Sequence, residues 1–227
     1  MIDIFVGYDP REASAYHTFC DSVLRRSSMP VRFTPLTPNL FNVDQRDGSN
    51  TFIYQRFLVP FLMGYTGHAI YADGDMVCLD DVAELWRYKP VASFAVACVK
   101  HEEYRTKAER KYLGARNENY PRKNWSSLMI YNCAHESCRA LTPEAIREAS
   151  GAFLHRMQWC RDADVLGLPA CWNHLVGEQA ARGDAKLLHY TLGTPCFPDY
   201  YRSDHAAEWR REFADSCRPV PQFFQGG

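Results

Sequence analysis

Ala69-Ile70-Tyr71-Ala72-Asp73-Gly74-Asp75-Met76-Val77-Cys78-Leu79 is the stretch on which the reading of this chain turns. An apolar run of strand length delivers two carboxylates, one glycine apart, to its carboxyl end. Carboxylates are costly to bury unpaired, so a cationic partner is expected against them. Two hard oxygen ligands one residue apart, on a turn, suit a divalent ion that substrate phosphates also hold. Gly74 would let the backbone turn tightly and approach a ligand closely. The plainer alternative is a charged turn joining two strands, and the surrounding sequence has to separate the two.

Outward from that stretch, strand and helix signals alternate. Met1 to Val6 opens the chain as a strand, and Asp9-Pro10-Arg11-Glu12 starts a helix. There Asp9 caps, Pro10 takes the first helical position and Glu12 completes the spacing of a capping box. Tyr16, Cys20, Val23 and Leu24 fall on one face of that helix. Val31 to Leu36 reads as a second strand, Asn39 to Asn50 as a polar loop, and Thr51 to Met63 as a helix interrupted by Pro60. Beyond the central strand, Asp80 and Asp81 cap a short helix through Trp86, and Ala92 to Val99 is a further strand. Glu102 to Asn119, rich in Lys, Arg and Glu, is expected as an exposed and mobile helix and loop. A strand at Ser127 to Tyr131 and a helix capped by Thr142-Pro143 follow. Alternation of this kind implies an α/β sheet layered between helices.

The last third changes character. Pro and Trp accumulate, strand signals thin out, and Lys186 to Tyr190 is the one clear late strand. Arg210 to Phe224 is expected as a packed irregular tail, with peripheral membrane contact the alternative.

Composition bounds the possibilities. With 227 residues the chain is expected to form a single domain over 1–227. Net charge is −1, which gives no electrostatic case for a nucleic-acid partner. The N-terminus lacks signal-peptide regions, and the longest apolar run, Val91 to Val99, is about half a bilayer-spanning helix. Nine cysteines occur with no Cys-x-x-Cys pair and no His-x-His cluster. That argues against a zinc site and a disulfide framework, and fits reduced thiols in a soluble cytoplasmic protein.

A metal–phosphate site needs a third ligand and cations for phosphate oxygens. His189, at the end of the late strand, is a candidate ligand. Arg56, among Phe52, Phe57, Leu58 and Phe61, needs an anion if its head is buried: a phosphate, or a carboxylate of the protein.

Four blocks together resemble the family 8 glycosyltransferases, over nearly the whole chain. They are Val6-Gly7-Tyr8-Asp9, Tyr54-Gln55-Arg56-Phe57-Leu58-Val59-Pro60, Tyr71-Ala72-Asp73-Gly74-Asp75, and Leu168-Pro169-Ala170-Cys171-Trp172-Asn173 with the later His189-Tyr190-Thr191-Leu192-Gly193 turn. The resemblance implies a GT-A fold: a Rossmann-like mixed sheet between helices, here with an irregular C-terminal segment. It implies a donor nucleotide sugar, UDP-linked, and Mn²⁺ or Mg²⁺ held by Asp73, Asp75 and His189. Gly7, Tyr8, Asp9, Arg56, Asp73, Gly74 and Gly193 would bind the donor. Residues 1–135 would form the nucleotide- and metal-binding half, and 136–227 the acceptor side and closing segment. The acceptor would be a glycan, a lipid-linked sugar or a small molecule, and transfer would retain anomeric configuration.

Two departures touch the sugar end. The family's Asp-Gln-Asp block resembles Asp162-Ala163-Asp164, which would supply catalytic carboxylates but replaces the amide by alanine. The family's Asn-Ser-Gly strand is matched loosely by Asn124-Trp125-Ser126-Ser127, leaving open whether Asn124 or Ser126 meets the sugar. Two other classes stand against sugar transfer. Asp73-x-Asp75-x-Val77 also fits an aspartate-nucleophile phosphatase, although that signature usually closes the first strand. A nucleotide-sugar-binding protein without activity would account for Ala163.

Overall fold

The computed structural model describes residues 1–38, 40–43, 53–101 and 104–218. Among the described residues, nine strands form two sheets: β1 (Ile2–Gly7), β2 (Val31–Leu36), β3 (His68–Ala72), β4 (Met76–Cys78), β5 (Val96–Cys98), β6 (Leu128–Asn132), β7 (Val165–Gly167), β8 (His174–Leu175) and β9 (Leu187–His189). The α-helices are α1 (Ala13–Leu24), α2 (Val59–Leu62), α3 (Val82–Trp86), α4 (Glu136–Arg139), α5 (Pro143–Glu148), α6 (Gly151–His155) and α7 (Ala206–Ser216).

The main sheet runs β2-β1-β3-β6-β5-β7. Its first three strands are parallel, β6 is antiparallel to both its neighbours, and β7 is parallel to β5. Period-2 alternation sorts the core onto two faces. Ile70, Ala72, Leu128 and Ile130 pack with Phe19 and Val23 of α1. Tyr71, Met129 and Tyr131 pack with Phe57, Ile146 and Leu154 on the other side. A helix-covered mixed sheet is what the alternating pattern implied.

The second sheet, β4-β9-β8, is small but decisive for the site. Met76 of β4 stands opposite His189 of β9, and the Asp75 carbonyl accepts the Tyr190 N–H at 2.9 Å. Backbone register therefore carries the late histidine to the aspartate turn.

Several expectations change. Asp9 does cap, accepting the Arg11 N–H, but the turn it starts is a 3₁₀ turn over Pro10–Glu12. Glu12 completes no capping box. Burial, with Asp75 adding to it, pushes its carboxyl up to about 8, against a hydrogen bond from Tyr112. Leu24 is exposed, and Phe19 takes the inward place on α1. Residues 51 and 52 lie outside the described residues. Beyond them a 3₁₀ turn at Gln55–Leu58 leads into α2, where Pro60 sits in the first turn rather than interrupting a helix. The strand expected from Ala92 is ordered as β5 only over Val96–Cys98.

The polar stretch after residue 103 forms no α-helix; most of it is exposed as expected, but Tyr112 and Asn117 are buried. Glu178, itself buried, accepts the Lys107 N–H (2.7 Å), and both the Thr106 hydroxyl and the Asn117 amide hydrogen-bond it at 3.2 Å. The tail is helical rather than irregular up to residue 216. Trp209 and Glu212 of α7 are buried, and Glu212 pairs with Arg26 (2.7 Å) and Arg25 beyond the end of α1. Expectations for 219–224 lie outside the described residues. No helix among the described residues is long and apolar enough to cross a membrane. All nine cysteines are free.

Candidate metal centre

Asp73 and Asp75 flank the turn between β3 and β4, and both are buried. The glycine between them is required by the protein's own backbone: a Cβ on Gly74 would collide with the Gly7 carbonyl oxygen. The close approach that this glycine makes in the structure is to the end of β1.

The environment divides the labour between the Asp73 oxygens. Oδ1 accepts the Tyr71 hydroxyl and the Arg56 Nη2, the latter at 3.1 Å. Oδ2 faces the Nε2 of His189 at 3.9 Å, and Asp75 Oδ1 lies 3.4 Å from the same nitrogen. Burial pushes the Asp73 carboxyl up, with Asp75 adding to it and Arg56 opposing. Asp75 faces the same burial, but His189 overcomes it and draws the carboxyl below its usual range.

The donor set fits a divalent ion. One ligand atom from each of Asp73, Asp75 and His189 lies within 4.8 Å of the others. Asp75 Oδ1 is buried without a hydrogen bond, a costly state that a cation would relieve. Two carboxylate oxygens and an imidazole are donors that a divalent transition-metal ion accepts. His189 is held for ligation by Asn173, whose Oδ1 lies 3.0 Å from Nδ1 while its Nδ2 donates to Ser127 Oγ at 2.9 Å. An acceptor at Nδ1 puts the ring proton there and leaves the Nε2 lone pair facing the aspartates. The sequence motif contained Asn173, but its contact with His189 was not foreseen.

The three residues face a cavity of about 620 Å³. Arg56 lines it, nearly buried, and is bound on several sides: Asp73, the Ser126 carbonyl (2.8 Å), the Ile53 carbonyl (3.1 Å) and the Tyr71 ring face (5.0 Å to the centroid). The carboxylate alternative for its partner is thus realised. Asn124 and Ser126 both line the cavity, and Ser126 Oγ meets His155 Nδ1 at 2.8 Å. Lys111 was not singled out from sequence because it lies in a uniformly charged stretch. It also lines the cavity, with Nζ bonded to Thr191 Oγ1 at 3.1 Å. Burial lowers its ammonium pKa, while Asp75 and Asp73 oppose that shift.

The other expected site residues lie elsewhere. Gly7, Tyr8 and Asp9 end or follow β1 beside the aspartate turn, because Val6 stands opposite Ala72; none lines the cavity. Asp9 is committed to Arg11, at 2.5 Å. Gly193 has φ 151°, and a Cβ there would meet the Tyr200 ring at 2.5 Å, so close packing accounts for this glycine. Asp162 is 80% exposed and pairs with Arg122 (2.7 Å), whereas Asp164 is buried against Arg161 (2.9 Å). Neither lines the cavity.

The architecture is that of GT-A proteins. The bifunctional glycosyltransferase WbbM superposes with a TM-score of 0.69 at 16% identity, covering 99% of this chain, which spans about half (51%) of WbbM. GlyE of Streptococcus pneumoniae TIGR4 gives 0.62 at 12% identity, covering 96% of this chain and 62% of GlyE. An active-site mutant of LgtC gives 0.59 at 14% identity, with 99% of each chain covered. At such identities the likeness is one of fold. No family model matches the chain. Protein CDI of Arabidopsis thaliana is 38% identical over 224 residues, covering 93% of this chain and 86% of the plant protein. The chain belongs to the same family as Protein CDI.

Proposed function

We propose that this chain is a glycosyltransferase of the family 8 kind, moving a sugar from a UDP-linked donor to an acceptor hydroxyl with retention of configuration. The observation that supports it most is the buried Asp73–Asp75–His189 cluster, opening on a cavity of about 620 Å³ in a GT-A fold. A bound Mn²⁺ or Mg²⁺ would act as a Lewis acid, neutralising charge on the departing diphosphate.

The chain's own residues supply the rest. Asn173 fixes the tautomer and orientation of His189. Arg56 and Tyr71 engage Asp73 Oδ1 and leave Oδ2 toward the ion. Lys111, tethered by Thr191 beside both aspartates, is placed to hold a phosphate oxygen as the sugar–phosphate bond breaks. Asn124 and Ser126 are the candidates for sugar hydroxyls. The donor nucleotide is assigned to the end of β1 at Gly7, Tyr8 and Asp9, with Gly74 and Gly193 shaping the turns around it. The acceptor, a glycan, lipid-linked sugar or small molecule, enters from the cavity and has only to be held in line of attack. A single domain over 1–227 and a cytoplasmic location belong to the same proposal.

Ala163, the residue that favours an inactive binding protein, does not line the cavity. In the phosphatase reading Asp73 would be the nucleophile, yet Arg56 and Tyr71 already hold its Oδ1. A turnover screen across nucleotide sugars, with and without Mn²⁺, tests the assignment. Release of the nucleoside diphosphate only with the metal is expected, and no turnover of any donor would count against transfer.

A further inference from the structure

Among the described residues, five cationic side chains line the cavity, against three carboxylates. Three of the five have partners that explain them. Arg56 pairs with Asp73 (3.1 Å) and Arg116 with Glu118 (3.7 Å). Lys123 donates to Asn117 Oδ1 (2.5 Å) and the Glu118 carbonyl (2.6 Å). Lys111, bonded to the Thr191 hydroxyl beside Asp73 and Asp75, stands where a diphosphate would meet the ion.

Arg156 is the remainder. It follows α6, and its backbone is held at both ends of the residue: its N–H reaches the Ala152 carbonyl at 3.1 Å, and its carbonyl accepts Arg122 Nη1 at 2.8 Å. Its Nε is buried with no hydrogen-bond partner among the described residues. A covered guanidinium donor without an acceptor is an unfavourable arrangement that a bound oxyanion would correct. The charge balance points the same way. Arg56 offsets Asp73, a divalent ion would offset Asp75 and keep one positive charge, that charge and Lys111 would meet the two charges of a sugar diphosphate, and Arg156 would still face the cavity unmatched.

We infer that the substrates carry a second anionic group, a carboxylate or phosphate on the transferred sugar or on the acceptor, which Arg156 binds through its planar fork. This rests on the glycosyl-transfer reading and names the substrate class within it.

Calorimetry on the full chain tests the inference in two arms, beginning from UDP with Mn²⁺. The donor arm compares UDP-glucuronate with UDP-glucose, which differ in the sugar carboxylate. The acceptor arm, run with UDP and Mn²⁺ present, compares glucuronate and glucose 6-phosphate with glucose. In at least one arm the acidic probe should bind about tenfold tighter than its neutral counterpart, the scale of one charged hydrogen bond. That preference should vanish in Arg156→Gln and be partly kept in Arg156→Lys, with melting temperature as the control for folding. No acidic preference in either arm, or a preference that Arg156→Gln leaves intact, overturns the inference while metal-dependent UDP binding stands. Absence of metal-dependent UDP binding in the parent removes the glycosyl-transfer reading, and this inference with it.

Discussion

His189 Nδ1 lies 3.0 Å from Asn173 Oδ1, and that contact decides which ring nitrogen faces Asp75. Both residues are buried, and Asn173 is pinned in turn by Ser127. Replacing Asn173 with Ala frees the ring to rotate and to change tautomer. Mn²⁺ affinity should fall roughly 10- to 100-fold, the usual effect of losing a group that orients a ligand. A metal titration followed by electron paramagnetic resonance reads this directly, and unchanged affinity would show that Asn173 has no part in holding the ligand.

Arg56 is expected to matter for folding before it matters for substrate. Its guanidinium satisfies Asp73 Oδ1 and two backbone carbonyls from a nearly buried position. Lysine keeps the charge but offers one point of contact in place of a planar fork. Arg56→Lys should therefore lower the melting temperature of the ligand-free protein, by an energy approaching the 3–5 kcal/mol typical of breaking a buried pair. A change confined to the donor KM, with melting unaltered, would return Arg56 to a purely substrate-binding role.

Gly74 is fixed by contact with backbone, which cannot rotate away as a side chain can. Gly74→Ala would drive its methyl into the Gly7 carbonyl and force β1 and the aspartate turn apart. An overpacking cost of about 1–3 kcal/mol is expected, together with weaker metal binding. A thermal melt matching the parent's would show that the two segments are free to separate.

The half-buried imidazole of His155 predicts an acid-sensitive fold. Burial, with Arg56 adding to it, lowers His155 to about 3, against about 6.5 in the unfolded chain. The folded-state value is depressed, so the neutral ring contributes its full stability above pH ~6.5. That contribution is lost as pH falls toward 3, because the unfolded chain takes up the proton first. The loss is at most about 1.4 kcal/mol per pH unit for one such group. Glu12, raised to about 8, works in the opposite sense, so the comparison must be with a variant. Between about pH 7.5 and 5, His155→Gln should lose less melting temperature than the parent. Equal losses would show that His155 titrates alike in both states.

How much of this could be read from sequence depends on the kind of signal. The strand leading into the aspartates is an apolar run with a sharp end, so β3 was bounded nearly as found, and Val31 to Leu36 was bounded as found. Asp73, Asp75 and His189 were likewise identified, and the register of β4 against β9 explains how they meet. The stretch after residue 103 was read as an exposed helix and loop, and no helix forms there, although most of its charged side chains are exposed. Asn117, Lys123 and Glu178 turn inward and hydrogen-bond, which composition cannot distinguish from solvation. The uniform charge of the stretch also hid Lys111. The catalytic reading of Asp162 and Asp164 rests on a local pattern alone, and in the structure Arg122 and Arg161, each close in space, pair with the two carboxylates. The helix at Ala206–Ser216 went unseen because its inward side carries Glu212, neutralised by Arg25 and Arg26 from the far end of the chain.

Metal-dependent nucleotide binding is the claim on which the account depends, and calorimetry of UDP with the full chain measures it. With Mn²⁺ present, UDP should bind at least about tenfold tighter than after EDTA treatment, the equivalent of about 1.4 kcal/mol. Asp75→Asn, which removes the charge of a buried carboxylate facing the ion site, should abolish that difference while the protein still melts cooperatively. Equal UDP affinity with and without the divalent ion in the parent protein would contradict the assignment of Asp73, Asp75 and His189 as a metal centre.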